Sequence, residues 1–506
     1  MKKLKIYFTS DLHGYIYPTD YRDAAKNNMN MGLLKIINSF EKDGNTLVID
    51  GGDTIQGSPF TNYLSNSNFE IHPMSEVMNE GGYDYVTLGN HDFNYGFDYL
   101  KKYLNNINAK CLCTNVNNKT NEISILPYEI KTMENGLKVG VMGFTTDFIN
   151  RWERPSNLEN FTVSDTAASI KACFNEAKQN CDILVGVYHG GFEYDLESHT
   201  ELSKTSENIA YKICRDFDFD ILLTGHQHMS LPGQEIHGTY IAQTPPNGTK
   251  FLELHLEVND SGSKNITSEL RVPADTPNKA MFDKLMTLEN QVQQWLDTPV
   301  GHLDVDLQPT THIDMAVNGS YLANFINQIQ LKESEADISV TSFANSIKGF
   351  NKDVTVRDIC STYMFPNTLA ILSIDGKTLK LALERCASYI DNTTGELKVS
   401  DLFLKPKVEH YNYDYFSGIE YTFDLSKELG SRVTSIKFKG KPVKYDDRLT
   451  LAMNNYRATG AGGYEFYTEC EVVKEVLKEM PDIIIDYFRN HAEVIVDKSK
   501  YITVIQ

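Results

Sequence analysis

The segment KIYFTSDLHG, residues 5–14, carries the pattern on which the reading of this 506-residue chain turns: a short apolar β-type run stops, and residues able to bind a metal follow at once. The pattern returns four times. TLVID (46–50) precedes Gly51-Gly52-Asp53, YVTL (85–88) precedes Gly89-Asn90-His91-Asp92, ILVGVY (183–188) precedes His189-Gly190-Gly191, and DILLT (220–224) precedes Gly225-His226-Gln227-His228. Oxygen and imidazole ligands delivered from five strand ends converge only if those strands lie side by side, because ligands in open α/β sheets gather at the carboxyl ends of strands. The pattern predicts a metal site built by the fold.

Between these motifs lie helix candidates at 31–42, 97–106 and 165–180. Such alternation of strand and helix predicts a largely parallel or mixed sheet covered by helices, an α/β fold. The stretch VPADTPNKAM reads as a linker on account of its two prolines. It leads into Met281, Leu285, Leu288, Val292 and Trp295, whose spacing of three and four marks one face of an amphipathic helix. After Thr298-Pro299 the composition shifts to shorter elements, with an apolar helix over 321–329 and another after Pro481, a residue suited to a first helical turn. The expected organisation is a metal-bearing domain over 1–275, a linker helix over 276–299 and a second domain over 300–506.

Gross features narrow the function. The formal net charge of -20 argues against tight binding to polynucleotide, where affinity comes mainly from Lys and Arg on phosphates. A small anionic substrate would need local positive charge, which divalent cations supply. The N-terminal MKKLKIYF is too short an apolar stretch for a signal peptide and runs straight into the first motif. No run approaches the roughly 18 apolar residues of a membrane span. The eight cysteines lack framework spacing and read as reduced thiols. The expectation is a cytoplasmic protein, a monomer or weak oligomer, with no membrane partner.

Asp11, His13, Asp53, Asn90, His189, His226 and His228 form the candidate ligand set. Asp11 and His13, at i and i+2, are expected to point the same way. Asp53 has two oxygens with which to bridge two cations. A mixed nitrogen and oxygen set favours Zn, Mn, Fe or Co over Ca. Two such ions about 3.5 to 4 Å apart can clamp the attacking and leaving oxygens of a phosphoryl displacement. His91 follows Asn90 directly and is the candidate for steadying developing charge or protonating the leaving oxygen.

Taken together, DLHG, GGDTIQGSP, GNHDFNYG, HGG and GHQH in the first half, and FPNTL, SGIEYTFDLS and NNYRATGAGGY in the second, resemble the calcineurin-like metallophosphoesterases of the 5'-nucleotidase and 2',3'-cyclic-nucleotide phosphodiesterase branch. The resemblance implies a four-layer catalytic domain, a β-sandwich flanked by helices, joined to an α+β nucleotide-binding domain. It implies two divalent ions, one held by Asp11, His13, Asp53 and His228, the other by Asp53, Asn90, His189 and His226, with His91 as the catalytic histidine. In the second domain it implies that a nucleobase stacks between Tyr456 and either Tyr413 or Tyr411. Arg457 is a candidate for phosphate or ribose contact, and Gly462, in a glycine-rich turn, for close approach to the base or ribose. One departure is informative. Asn94 stands where the 5'-nucleotidases carry Asp three residues after the catalytic His, a form that resembles the 2',3'-cyclic phosphodiesterase and 3'-nucleotidase enzymes. The Gly-Gly-Gly-Ile-Arg phosphate clamp of 5'-nucleotidases is also absent, with residues 342–346 near its place. The expected activity is therefore on 2',3'-cyclic and 3'-nucleotides. The alternatives are a 5'-nucleotidase or UDP-sugar hydrolase, and a catalytically degraded nucleotide-binding protein.

Overall fold

The computed structural model describes residues 1–202, 205–363, 367–393, 395–405, 407–476, 478–491 and 493–506. The chain divides into two compact units, Met1–Gln293 and Gln294–Gln506.

The alternating strands of the first unit fill two sheets rather than the single sheet that alternation alone suggests. In the first sheet Lys2–Thr9 lies beside Thr46–Asp50, which lies beside Tyr85–Val86, all parallel. In the second, Lys138–Thr145, Ile183–His189 and Ile221–Thr224 run parallel in that order. The split follows from where the apolar residues point. Ile6, Phe8, Leu47 and Ile49 of the first sheet share one buried cluster with Val139, Val141, Val185 and Ile221 of the second, so the two sheets face each other. Because side chains alternate along a strand, Met142, Phe144, Leu184 and Leu222 face the other way. They pack with Ile170 and Ala177 of the helix Thr166–Asn180 and with Ala210 and Ile213 of the helix Ala210–Asp216. Tyr7 and Val48, on the outer face of the first sheet, are 1% exposed, which places them under the helical layer of Leu33–Ile37, Pro73–Gly81 and Phe97–Asn106. The result is a four-layer arrangement with a β-sandwich between helices.

Two helix expectations meet the structure differently. Asp165 caps the helix Thr166–Asn180 by accepting from the Ala168 amide, as its sequence position suggests. The helix expected over 31–42 shrinks to Leu33–Ile37. Beyond its end the half-buried Phe40 stacks on Tyr7, with ring centroids 4.6 Å apart. The amphipathic helix runs Lys279–Leu296 and buries Met281, Leu285, Val292 and Leu296. Tyr17 and Tyr21 hold it to the first unit by donating to the Phe282 carbonyl at 2.6 Å and to Glu289 at 2.9 Å.

The second unit contains a five-stranded sheet in the order Tyr415–Ser417, Ile338–Thr341, Arg448–Asn454, Leu369–Asp375, Glu471–Val476. The helix Tyr321–Ser334 packs on it, with Asn327 donating to the Tyr415 carbonyl and accepting from Ser339. Pro481 sits in the first turn of the helix Met480–Asn490. Phe365 and Pro366 of the FPNTL motif lie outside the described residues.

Phe8, fully buried in the intersheet cluster, provides a test of the sandwich. Phe8→Ala should destabilise the first unit by about 3–5 kcal/mol, read as a lowered urea midpoint. A midpoint within error of the parent would place Phe8 outside the core.

Candidate metal centre

Each ligand motif sits at or just after the end of a strand, three from the first sheet and two from the second, with His189 the last residue of its strand. Left-handed backbone marks three of the five. Asp11, His13, Asp53, His226 and His228 have φ of 56, 48, 53, 68 and 58°. A residue with a side chain pays about 1–3 kcal/mol for such a conformation, and outliers of this kind cluster at functional sites. Asp11 and His13 therefore do not reach one side by strand alternation, as the i, i+2 spacing suggests, but by two left-handed turns. Backbone bonds hold them there: the Asp11, His13 and Gly14 amides donate to the carbonyls of Gly52, Asp53 and Thr54 at 2.9, 2.8 and 2.9 Å. Gly52 and Gly89 are required by close approach, since a Cβ on Gly52 would lie 2.3 Å from the Gly89 nitrogen and one on Gly89 2.2 Å from Asp53 Oδ1.

The side chains gather in two groups, Asp11 with His13 and His228, and Asp53 with His189 and His226, the candidate ligand atoms within each group lying within 4.8 Å of one another. Asn90 belongs to the second group through its Oδ1, 2.9 Å from His226 Nδ1. The His91 backbone amide donates to Asp53 Oδ1 at 2.7 Å, and the His91 ring lies edge-on to His13 with centroids 5.7 Å apart.

Outer partners fix how the candidate histidines are turned. His13 Nδ1 faces the Gln56 carbonyl at 2.9 Å and His189 Nδ1 the Gly51 carbonyl at 2.7 Å. A carbonyl only accepts, so both rings carry Nδ1–H and direct a bare Nε2 inward. His226 Nε2 lies 3.2 Å from Glu207 Oε1, leaving Nδ1 on the inner side. Such outer partners fix the orientation of metal-binding imidazoles.

A cation fits what these atoms leave unsatisfied. His189 Nε2 is buried without a hydrogen-bond partner, although Asp53 Oδ2 is 3.1 Å away. His13 Nε2 and His228 Nε2 stand 3.1 Å apart, and His228 Nε2 is 3.3 Å from Asp11 Oδ1, so nitrogen and oxygen donors converge there. Burial pushes His13 down to about 4, which suits a neutral ligand. Burial would also lower His189, but the charge of Asp53 and a bond to it raise it to about 10. Burial pushes the Asp53 carboxyl up, yet His189 and His91 hold it well below its usual range.

Two carboxylates that the sequence reading left without a role shape this centre. Asp92, 1% exposed, accepts from the amides of Asp53, Thr54, Ile55 and Gly89 at 3.0, 2.9, 3.1 and 2.8 Å. Asp50 accepts from Thr9 and Thr54 hydroxyls at 2.6 and 2.5 Å and from the Gly52 amide at 3.1 Å. The available signal was position, since Asp50 ends a strand three residues before Asp53 and Asp92 follows Asn90 by two. Asn94 Oδ1 is 2.8 Å from His91 Nδ1.

The nucleotide-contact candidates separate into two kinds. Tyr413 requires correction: it is 1% exposed, its hydroxyl donates to the Ala316 carbonyl, and its ring packs against Tyr389 and Tyr415. Protein occupies the faces that a base would need. Arg457 also requires correction. It is 2% exposed, pairs with Asp414 at 3.0 Å and donates to the carbonyls of Ala461 and Tyr411 at 2.5 and 2.8 Å, so its guanidinium is committed within the core. Gly462 is needed for this packing, because a Cβ there would lie 2.1 Å from Asn412 Oδ1 and 2.5 Å from Arg457 Nη1. Tyr411 and Tyr456 are only half-buried, and the Arg457 bond to the Tyr411 carbonyl ties their two segments together.

Comparison with known proteins agrees with this architecture. The family model for calcineurin-like phosphoesterases matches residues 4–230, and that for the 5'-nucleotidase C-terminal domain matches residues 299–469. A crystal structure of a putative 5'-nucleotidase from Staphylococcus aureus is 33% identical, with all of both chains covered and a TM-score of 0.91. The 2',3'-cyclic-nucleotide 2'-phosphodiesterase/3'-nucleotidase of Yersinia enterocolitica is 26% identical over 90% of this chain and 80% of its own length. The trifunctional nucleotide phosphoesterase YfkN of Bacillus subtilis is 25% identical over 96% of this chain, which spans only 38% of that protein. The chain belongs to the calcineurin-like phosphoesterases that carry a 5'-nucleotidase C-terminal domain, a family of metal-dependent nucleotide hydrolases.

Proposed function

We propose that the chain hydrolyses 2',3'-cyclic nucleotides and then 3'-nucleotides, releasing nucleoside and phosphate. The observation that carries the chemistry is the pair of strained Asp/His groups beside one another, with the His91 amide on Asp53. Asp11, His13 and His228 would hold one divalent ion, Asn90, His189 and His226 the other, with Asp53 between them. Two such ions would supply charge neutralisation for the phosphoryl oxygens and a nucleophile at neutral pH. Within the chain, Asp92 keeps the Asp53 and Asn90 loops in register and His91 protonates the leaving oxygen. Tyr456 and Tyr411 are assigned to the base.

Asn94 in place of Asp, and the lack of the phosphate clamp, support cyclic and 3' substrates, as does the name of the Yersinia relative. A second reading, 5'-nucleotidase, is favoured by the name of the Staphylococcus aureus structure. Phosphate release and product identity across 2',3'-cyclic, 3' and 5' nucleotides, with Mn, Co or Zn, decide between them. Preference for 5'-nucleotides would overturn the first reading.

Asp53→Asn should abolish turnover and reduce bound metal, measured by elemental analysis. Full activity with two metals per chain would remove Asp53 from the bridging role. His91→Ala should slow turnover by roughly 10²–10⁴-fold, the usual contribution of a positioned acid, at unchanged metal content. Falling metal content would make His91 a ligand instead. Tyr456→Ala should weaken nucleotide use by about 1–3 kcal/mol, the worth of one stacking face. Hydrolysis of bis(p-nitrophenyl) phosphate should stay near normal, and equal loss of both activities in a folded variant would make Tyr456 structural.

A further inference from the structure

Glu153 lies outside every motif read from the sequence, yet it ends a hydrogen-bond line that starts at the His91 ring. Asn94 Oδ1 is 2.8 Å from His91 Nδ1, and Asn94 Nδ2 donates to Glu153 Oε2 at 2.6 Å. The other Glu153 oxygen accepts from the Arg154 amide at 2.7 Å and from Asn157 Nδ2 at 2.9 Å. Asn157 Nδ2 also donates to the Asn94 carbonyl at 3.0 Å, so both ends of Asn94 are held from the 153–157 segment.

We propose that Glu153 is a positioning residue that sets which nitrogen of His91 carries the proton, acting through the amide of Asn94. A neutral imidazole has its proton on either nitrogen, and an asparagine amide suits both forms. Its oxygen accepts from Nδ1–H, or, turned over, its NH₂ donates to a bare Nδ1. Aspartate at this place would need no arbiter, because a carboxylate only accepts. Asparagine needs one, and Glu153 supplies it. Turning the Asn94 amide over would set its oxygen against Glu153 Oε2 at the 2.6 Å now spanned by a donor and would lose a charge-assisted bond. The amide oxygen therefore faces His91, which holds Nδ1–H. Nε2 is then the nitrogen through which a proton would pass to a leaving oxygen. The neighbouring Trp152 stacks on His226 with ring centroids 5.5 Å apart, so two consecutive residues brace His91 and the second ligand group.

The inference rests on His91 as proton donor, but its first test needs no turnover. In full-length, zinc-loaded protein with ¹⁵N-labelled histidine, His91 is assigned by the resonance lost in His91→Gln, at a pH where the ring is neutral. The parent should show a single Nδ1–H form, and Glu153→Ala a mixture of both. With the best nucleotide substrate, Glu153→Ala should lower kcat on the order of 10-fold, as loss of an outer partner does, with KM unchanged. Adding Asn94→Asp to Glu153→Ala should restore both the single form and most of kcat, because a carboxylate at 94 needs no arbiter. An unaltered His91 in Glu153→Ala, or a double variant as slow as the single one, would overturn the proposal. If Glu153→Ala does not fold, Glu153→Gln replaces it. One carboxamide oxygen cannot accept from all three donors, so a mixture is expected there also, and a pure Nδ1–H form would count against the proposal. If the parent cleaves no nucleotide ester, the proposed function fails while the comparison of ring forms still decides the role of Glu153.

Discussion

Four backbone amides, those of Asp53, Thr54, Ile55 and Gly89, end on the carboxylate of Asp92, and the ligand loops depend on that convergence. The Asp53 loop is held to the Asn90 loop, and through the carbonyls of residues 52–54 it holds the loop of Asp11 and His13 as well. Burial pushes Asp92 up to about 6, with the nearby Asp53 charge adding to the shift, while the donated amides oppose it. The same logic applies to Asp50, raised by burial to about 7 against three hydrogen bonds. These are groups placed where ionisation is costly so that strained backbone keeps its shape. Left-handed φ at five candidate ligand residues persists because neighbouring groups over-determine it.

Much of the first unit was legible because its motifs combine two signals, a strand end and a residue type with metal affinity. Neither says which sheet a strand joins. The assignment to two sheets is made by tertiary packing, through Ile6, Phe8, Val139 and Val185 meeting across the sandwich, and periodicity within a strand carries no record of its partner. The short helix Leu33–Ile37 was overestimated for a related reason. A local apolar pattern cannot reveal that Phe40 stacks on Tyr7.

The second unit shows where residue type misleads. Tyr411 and Tyr413 look equivalent in sequence, two residues apart, but the 3-10 turn His410–Asn412 breaks the alternation. One tyrosine goes into the core and the other stays half-exposed. Arg457 reads as a candidate for phosphate or ribose contact, whereas Asp414 and backbone carbonyls make it a buried cation that shapes the turn. Glu153 is the converse case. It has no motif around it, and only the distance to Asn94, 59 positions earlier in the chain, reveals it.

The pairing of the first strand also bears on how the chain is made. Lys2–Thr9 is bounded on one side by Thr46–Asp50 and on the other by Phe251–Val258, which is in turn paired with Lys264–Arg271. On a ribosome the first strand emerges well before Phe251–Val258, and one of its edges has no partner until about 240 further residues have followed. Until then an apolar strand presents an open edge, the kind of surface that invites pairing with another chain. The sandwich cannot close before Phe251–Val258 has been made, and until then the open edge of the first strand needs protection.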